Sequence, residues 1–304
     1  MKSRSFLGLT SALIAVFVWG ISFVSTKIIL RELPPVTIAF FRQFIALIPL
    51  VTLMFLKKEN FRIDKKELVL FALASLFGIV LYFFFENGGL TLISASNASL
   101  LVAAVPVFVL VIDAIRGRKK INIPSMICII TSIVGVYLIT FEGKAPDFRS
   151  GSFLGTLLVL ASMFSWIIYT FLSDKLGEKY SSLKMTTLQT ALSIPLFIPF
   201  VSGEFVKWKM PSVTAALNLV FLGVFCSALA YLFFLVGLKN HGPVLVSALL
   251  NLIPAITIIA EALMLREMIS GFQAIGAVLI LGSISYLSIK DKNTDSTEEA
   301  PAKP

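Results

Sequence analysis

Apolar residues fall into ten long runs separated by short charged or turn-rich stretches, near residues 6–27, 35–56, 68–90, 94–115, 122–141, 152–172, 182–202, 213–237, 243–264 and 270–289. A bilayer core of roughly 30 Å takes about 20 apolar residues per helix, so the pattern predicts ten membrane-spanning helices. The least marked division is LTLISASNAS between the third and fourth runs, and fusing them would leave nine helices. The stretch in the matching place later in the chain, LKNHGPVLVS, contains Gly242 and Pro243 and predicts a turn, which argues for ten. The first run, inside MKSRSFLGLTSALIAVFVWG, has the basic start of a signal peptide but no A-x-A-like cleavage site, and reads as a retained first helix.

Composition fixes the class. Hydrophobic residues make up 57% and charged residues 14% of the 304 positions, and the mean hydropathy is +0.93, which describes an all-α integral membrane protein. A net charge of +9 would point to nucleic acid in a soluble domain, but here the cations sort by side of the membrane. With the N-terminus in the cytoplasm, 18 Lys and Arg lie on the cytoplasmic side and 7 on the other, with Arg42 inside a helix. The positive-inside rule then places a multi-pass protein in the plasma (inner) membrane with both termini cytoplasmic and no nucleic-acid partner. The polar tail over 291–304 has nothing to bury and is expected to be disordered. Cys128 and Cys226 sit in separate apolar runs and read as small hydrophobes.

The chain repeats itself. SLLVAAVPVFVLVID at 99–113 returns as SALLNLIPAITIIAE at 247–261, so that Ser99, Leu101, Pro106 and Asp113 match Ser247, Leu249, Pro254 and Glu261 at a spacing of 148. Trp19, Ser22 and Thr26 match Trp166, Tyr169 and Ser173 at 147, and Gly135 matches Gly282 at 147. Gly78 and Gly89 match Gly223 and Gly237 at 145 and 148. Two five-helix repeats, 1–143 and 150–290, are therefore expected. Because five is odd, the second enters the membrane from the opposite side and the two form inverted repeats, an architecture of secondary transporters.

On the stretches FVWGISFVSTK, TIAFFRQFIAL, SALAYLFFLVGLKNHGPVLVSALLNLIPAITIIAEALMLRE and the looser LYFFFENGGLTLISASNASLLVAAVP, the chain resembles the EamA-type carriers of the drug/metabolite transporter superfamily. The resemblance covers essentially residues 6 to 289. It implies ten helices in two halves and the movement of amino acids, metabolites or drugs, mostly outward. One position departs from it: the acidic residue thirteen positions after the second-half proline is Glu267, whereas Lys119 holds that place in the first half.

The residues themselves nominate a cavity. Pro106 and Pro254 interrupt helices near mid-membrane and free a carbonyl each, and Asn251 adds an amide beside Pro254. Trp19, Ser22 and Thr26 share one helical face, as do Ser162, Trp166, Tyr169 and Ser173, and rings with hydroxyls at this depth suit an organic solute. Packing between helices accounts for the same faces equally well. Tyr82 and Tyr231 extend the set. Arg42 and Glu86 are ionisable groups inside apolar segments, at similar depth on consecutive antiparallel helices, and are expected to pair; their repeat counterparts Gln189 and Phe234 are uncharged. Asp113 and Glu261 stand near helix ends and are expected to reach water.

No catalytic constellation, metal site or cofactor motif is present, and His241, the single histidine, sits in a turn. The reading is a secondary transporter for a small organic solute in a lipid bilayer. It exports by alternating access around a cavity lined by helices one, three, four, six, eight and nine, with Glu86 as proton-coupling candidate. The sequence is compatible with a homodimer. A membrane-embedded enzyme acting on a lipid, or a channel or receptor, remains the alternative.

Overall fold

The computed structural model describes residues 2–104, 123–145 and 147–298, and every element among them is helical. The first half contains α1 (Lys2–Ile29), α2 (Pro35–Leu56), α3 (Lys65–Leu90), α4 (Ala95–Val102) and α5 (Ile123–Phe141). The second contains α6 (Gly151–Gly177), α7 (Ser182–Val201), α8 (Val213–Phe221, Leu222–Leu229 and Ala230–Leu249), α9 (Ile253–Met264) and α10 (Gly271–Glu298). Six of these are long and apolar enough to cross a membrane among the described residues, and Met126–Phe141, Leu250–Met264 and Gly271–Ser283 are shorter apolar helices. Pro106, Asp113 and Lys119 lie outside the described residues.

Local chemistry explains where the helices begin. Ser94, Ser150, Ser181, Ser212 and Ser270 each accept a hydrogen bond from the backbone N–H three residues on, satisfying a donor that the first turn would leave orphaned. α2 instead starts on Pro35, whose missing N–H costs nothing there. The division between α3 and α4 is short but real: the helix stops at Leu90 and Ser94 caps the next. Lys27 Nζ holds this turn by donating to the carbonyls of Leu90 (2.6 Å) and Ile93 (2.8 Å), a cation at a helix C-terminus.

The turn expected at LKNHGPVLVS is helical in its hydrogen bonding, since α8 continues to Leu249. The chain nevertheless reverses there. Gly8 of α1 packs against Asn240 and His241, whereas Gly20, three turns along, packs against Ile253 and Ile256. A short 3-10 turn, Leu250–Leu252, then precedes Pro254 at the start of α9, so the helix is interrupted where the proline requires it. α10 is helical to Glu298, past the point at which composition leaves the tail nothing to bury.

Two features recur at corresponding places. α3 carries a π-helical stretch at Leu76–Leu81, and α8 carries one at Leu222–Leu229. Glu204, after α7, accepts from Val36 N (3.2 Å), Thr37 N (2.6 Å) and Thr37 Oγ1 (2.7 Å) at the start of α2; Glu59, after α2, accepts from Ser181 at the start of α7. The two halves are joined on many helices: α1 packs along α8 and α9, α3 along α6, and α2 along α7. α5 and α10 pack on each other, with Gly135 and Gly276 so close that a Cβ on either would stand 2.8 or 2.7 Å from the other's carbonyl oxygen. Outward faces keep large apolar side chains exposed, Ile127, Ile130, Ile133 and Tyr137 on α5 among them, as a lipid-facing surface requires.

Candidate functional site

Trp19 on α1 and Trp166 on α6, 147 residues apart in sequence, meet edge to face at the centre of the molecule, their rings 5.3 Å apart. Tyr231 of α8 lies 5.4 Å from Trp19 and 5.7 Å from Trp166, and Tyr82 of α3 lies 5.2 Å from Trp166. The contacts among Trp19, Trp166 and Tyr231 are T-shaped, which aligns ring edges with ring faces and fixes the orientation of each wall.

A narrow cavity of about 30 Å³ opens against this cluster. Seven of the predicted residues line it: Trp19, Ser22, Arg42, Tyr82, Glu86, Trp166 and Tyr231. The rest of the wall is apolar and comes from Phe23, Phe83, Val102, Met163, Leu250 and Ile253, so α2 joins the six helices expected. These apolar residues carried no signal that separated them from other core positions.

Three predicted residues stand behind the wall. Tyr169 is fully buried against the backbone of α3, where a Cβ on Gly78 would be 2.1 Å from its ring. Pro254 is buried at the start of α9 and shapes the cavity through its neighbours Leu250 and Ile253, which line it. Asn251 is half-buried in the 3-10 turn, with its side-chain oxygen unpartnered among the described residues. Pro106 lies outside the described residues.

The π-helical stretches supply the site with acceptors. Widening a helix to i→i+5 bonding releases carbonyls from the regular ladder. Trp19 Nε1 donates to the carbonyl of Cys226, inside Leu222–Leu229, at 3.0 Å. The Tyr231 hydroxyl donates to the carbonyl of Gly78, inside Leu76–Leu81, at 2.9 Å. Trp166 finds no such carbonyl, and its Nε1 is buried without a partner among the described residues.

The expected ion pair between Arg42 and Glu86 is not formed. Both face the cavity, but no nitrogen of Arg42 lies within 4.0 Å of the Glu86 carboxylate. Each is satisfied nearer to hand. Arg42 Nε donates to Ser227 Oγ at 2.7 Å, and its guanidinium carbon lies 4.0 Å from the centre of the Phe83 ring. Ser227 can come this close because α8 crosses α2 at Gly223, where a Cβ would meet Ile45 at 2.5 Å and the Arg42 carbonyl at 3.1 Å. Glu86 accepts the hydroxyl of Tyr82, one turn back on α3, at 2.5 Å. Sequence reasoning missed Ser227 and Phe83 as partners of the arginine.

Glu261 was expected in water and is instead 2% exposed. Its carboxylate accepts from Ala95 N (2.9 Å), Ser96 N (2.8 Å) and Ser96 Oγ, so it caps α4 from the other half of the chain. Three unfilled donors at a helix start draw in a carboxylate from across the fold.

The sequence model of the EamA-like transporter family matches residues 6–141 and again 153–289. The chain belongs to the EamA-like transporter family. Among relatives, an "Uncharacterized transporter" of Archaeoglobus fulgidus is 30% identical over 279 residues, covering 90% of this chain and 95% of the relative. A second from the same organism is 29% identical, covering 95% and 99%. "Uncharacterized transporter YvbV" of Bacillus subtilis is 28% identical, covering 91% of this chain and 90% of its own. A solved structure described only as the crystal structure of a protein superposes with a TM-score of 0.65 at 17% identity, over 93% of this chain and 97% of that one, and shares the fold. Family membership, together with several spanning helices, makes this EamA-family chain a multi-pass membrane protein of the transporter class.

Proposed function

We propose that the chain is a secondary carrier that exports a small organic solute from the cytoplasm by alternating access, built from inverted five-helix repeats at 1–143 and 150–290. The observation that carries this reading is the cavity: repeat-related Trp19 and Trp166 meet at its wall, and both halves contribute to its lining. The paired π-helical stretches and the exchange of carboxylate caps between α2 and α7 support the inverted arrangement. A site shared by two such halves can be exposed to either side by rocking one against the other. The plasma membrane and cytoplasmic termini follow from the cation asymmetry.

Energy for net movement comes from a gradient on this reading, since the chain carries no nucleotide-binding loop. Glu86 is the coupling candidate, because it is a carboxylate on the cavity wall whose hydroxyl partner Tyr82 also faces the cavity. The test is transport by purified protein in proteoliposomes, loaded with amino acids, nucleobases or cationic drugs, with and without a pH gradient. Glu86→Gln is expected to abolish the response to pH while exchange of the solute persists. Solute movement that ignores every ion gradient would replace coupled export with facilitated diffusion.

A further inference from the structure

A second cavity, of about 250 Å³, lies between α6, α7 and α8. Ser173 and Asp174 line it from α6, Ser182 and Met185 from α7, and Leu235 and Leu238 from α8; Asp174 is exposed, so the cavity opens to water. It follows the same helices as the central one. Ser173 stands two turns beyond Trp166 on α6, and Leu238 two turns beyond Tyr231 on α8, towards the cytoplasm on the topology proposed above. The buried rings of Tyr169 and Phe234, 5.0 and 5.1 Å from that of Trp166, occupy the turn between the two cavities.

Each of the six lining residues has a counterpart at the spacing of the repeat, 147 for α6 and α7 and 148 for the end of α8. In the same order these are Thr26, Lys27, Pro35, Ile38, Asn87 and Leu90, at the outer end of α1, α2 and α3. There the helices are bridged. Lys27 Nζ donates to the Leu90 carbonyl at 2.6 Å and ties α1 to α3, and Asn87 Nδ2 donates to the Pro35 carbonyl at 2.9 Å and ties α3 to α2. Neither bond can form at the inner end, where Asp174 stands for the lysine and Leu235 for the asparagine, because a carboxylate and an isobutyl group have no proton to give. At the inner rim the exposed Lys239 reaches only the Tyr180 carbonyl, at a long 3.3 Å.

We infer that, in the carrier proposed above, the second cavity is the cytoplasmic mouth of the solute path and that Lys27 and Asn87 bar the outer mouth. The chain therefore rests open to the cytoplasm, the side from which an exporter loads. Opening outwards must break both bonds and strand their buried carbonyls, whereas the inner mouth opens without breaking either kind.

Thiol accessibility tests this in right-side-out and inside-out membrane vesicles, with full-length protein carrying Cys128→Ala and Cys226→Ala and a charged methanethiosulfonate as probe. Ser173→Cys and Thr26→Cys report on the two mouths; the native residues are 1% and 2% exposed, so burial alone predicts equal rates. Ser173→Cys is expected to react at least roughly tenfold faster, and from the cytoplasmic face. Adding Lys27→Met with Asn87→Leu should speed Thr26→Cys from the outer face by at least roughly tenfold without speeding Ser173→Cys, and Asn87→Leu alone should give part of that rise. Equal rates in the parent, an unchanged Thr26→Cys rate in the double variant, or a rise at both positions, the mark of loosened packing, overturns the inference. Solute movement in proteoliposomes separates it from the carrier reading. The expected accessibility without any solute crossing would overturn transport and leave the two mouths standing; solute that crosses a protein whose Thr26→Cys is the faster position would do the reverse.

Discussion

Removing the carboxylate of Glu261 isolates the contribution of one long-range cap. In Glu261→Gln the side chain keeps its size but loses its charge and one acceptor oxygen, and three donors of α4 that it now serves, Ala95 N, Ser96 N and Ser96 Oγ, must share what remains. Hydrogen bonds to a charged group contribute about 1.5–3 kcal/mol each, and a charge at a helix N-terminus about 0.3–1 kcal/mol more. Losing one such bond and the charge therefore gives about 2–4 kcal/mol. Because the start of α4 is held by this residue from a different helix, the loss should appear as local opening. Each 1.4 kcal/mol is about tenfold in an equilibrium constant, so amide exchange at Ala95 and Ser96 should accelerate by roughly 30-fold to several hundred-fold. Amides in the middle of α6 serve as the internal control and should be unaffected. Exchange at Ala95 and Ser96 that stays within about threefold of the parent would mean that the carboxylate is not what holds the helix start.

Trp19→Phe should lower thermal stability in detergent by about 1–3 kcal/mol, because it removes the donor to the Cys226 carbonyl, whereas Trp166→Phe removes an N–H that has no partner among the described residues and should cost far less. Equal losses would refute the difference. Gly135→Val should separate α5 from α10, since even a Cβ would stand 2.8 Å from the Gly276 carbonyl oxygen, and a cysteine cross-link between the two helices should then form more slowly. Glu32, outside the spanning segments, has its carboxyl pKa lowered by the hydroxyl and backbone N–H of Ser212. Its contribution is present above the ordinary carboxylate range and is lost as pH falls through the lowered folded-state value; Glu32→Gln should therefore flatten the acid limb of melting temperature against pH, over about pH 3 to 5.

Six of the ten expected segments are long and apolar enough to span a membrane among the described residues, and they were legible because bilayer thickness sets a minimum length and because serine, proline and charge mark the ends. α2 begins at Pro35 as read, and α3 gives way to α4 across the four residues 91–94, the stretch that had looked weakest. The turn at LKNHGPVLVS was right in direction but not in hydrogen bonding: the chain reverses while the backbone stays helical to Leu249. Gly242 and Pro243 mark where a helix is easily bent, and neighbouring packing decides whether the ladder breaks. No local signal could have announced the π-helical stretches. Their sequences, LFGIVL and LGVFCSAL, are apolar runs like any other, and the widening is tied to side chains that arrive from α1 and α8.

The site divides along the same line. Periodicity and repetition select residues that share a face, and seven of those selected do meet at one cavity. They cannot select a hydrogen-bond partner, because the partner is chosen by which backbone group the packed helices leave unpaired. Trp19 and Trp166 are equivalent in the repeat, yet one indole is satisfied by Cys226 and the other has no partner among the described residues. Arg42 and Glu86 share a depth, which made a pair reasonable, but depth fixes only one coordinate; rotation of α2 and α3 turns the guanidinium to Ser227, 185 residues away, and leaves the carboxylate to a tyrosine four residues back. Glu261 fails for the opposite reason. It stands near a helix end, where water is the ordinary partner of a carboxylate, and the donors that bury it lie 165 and 166 residues earlier in the chain. A repeat in sequence thus reveals which positions are related while concealing where the relation is broken. In this molecule the relation breaks at the indoles, since Trp19 reaches the carbonyl of Cys226 and Trp166 Nε1 has no partner among the described residues.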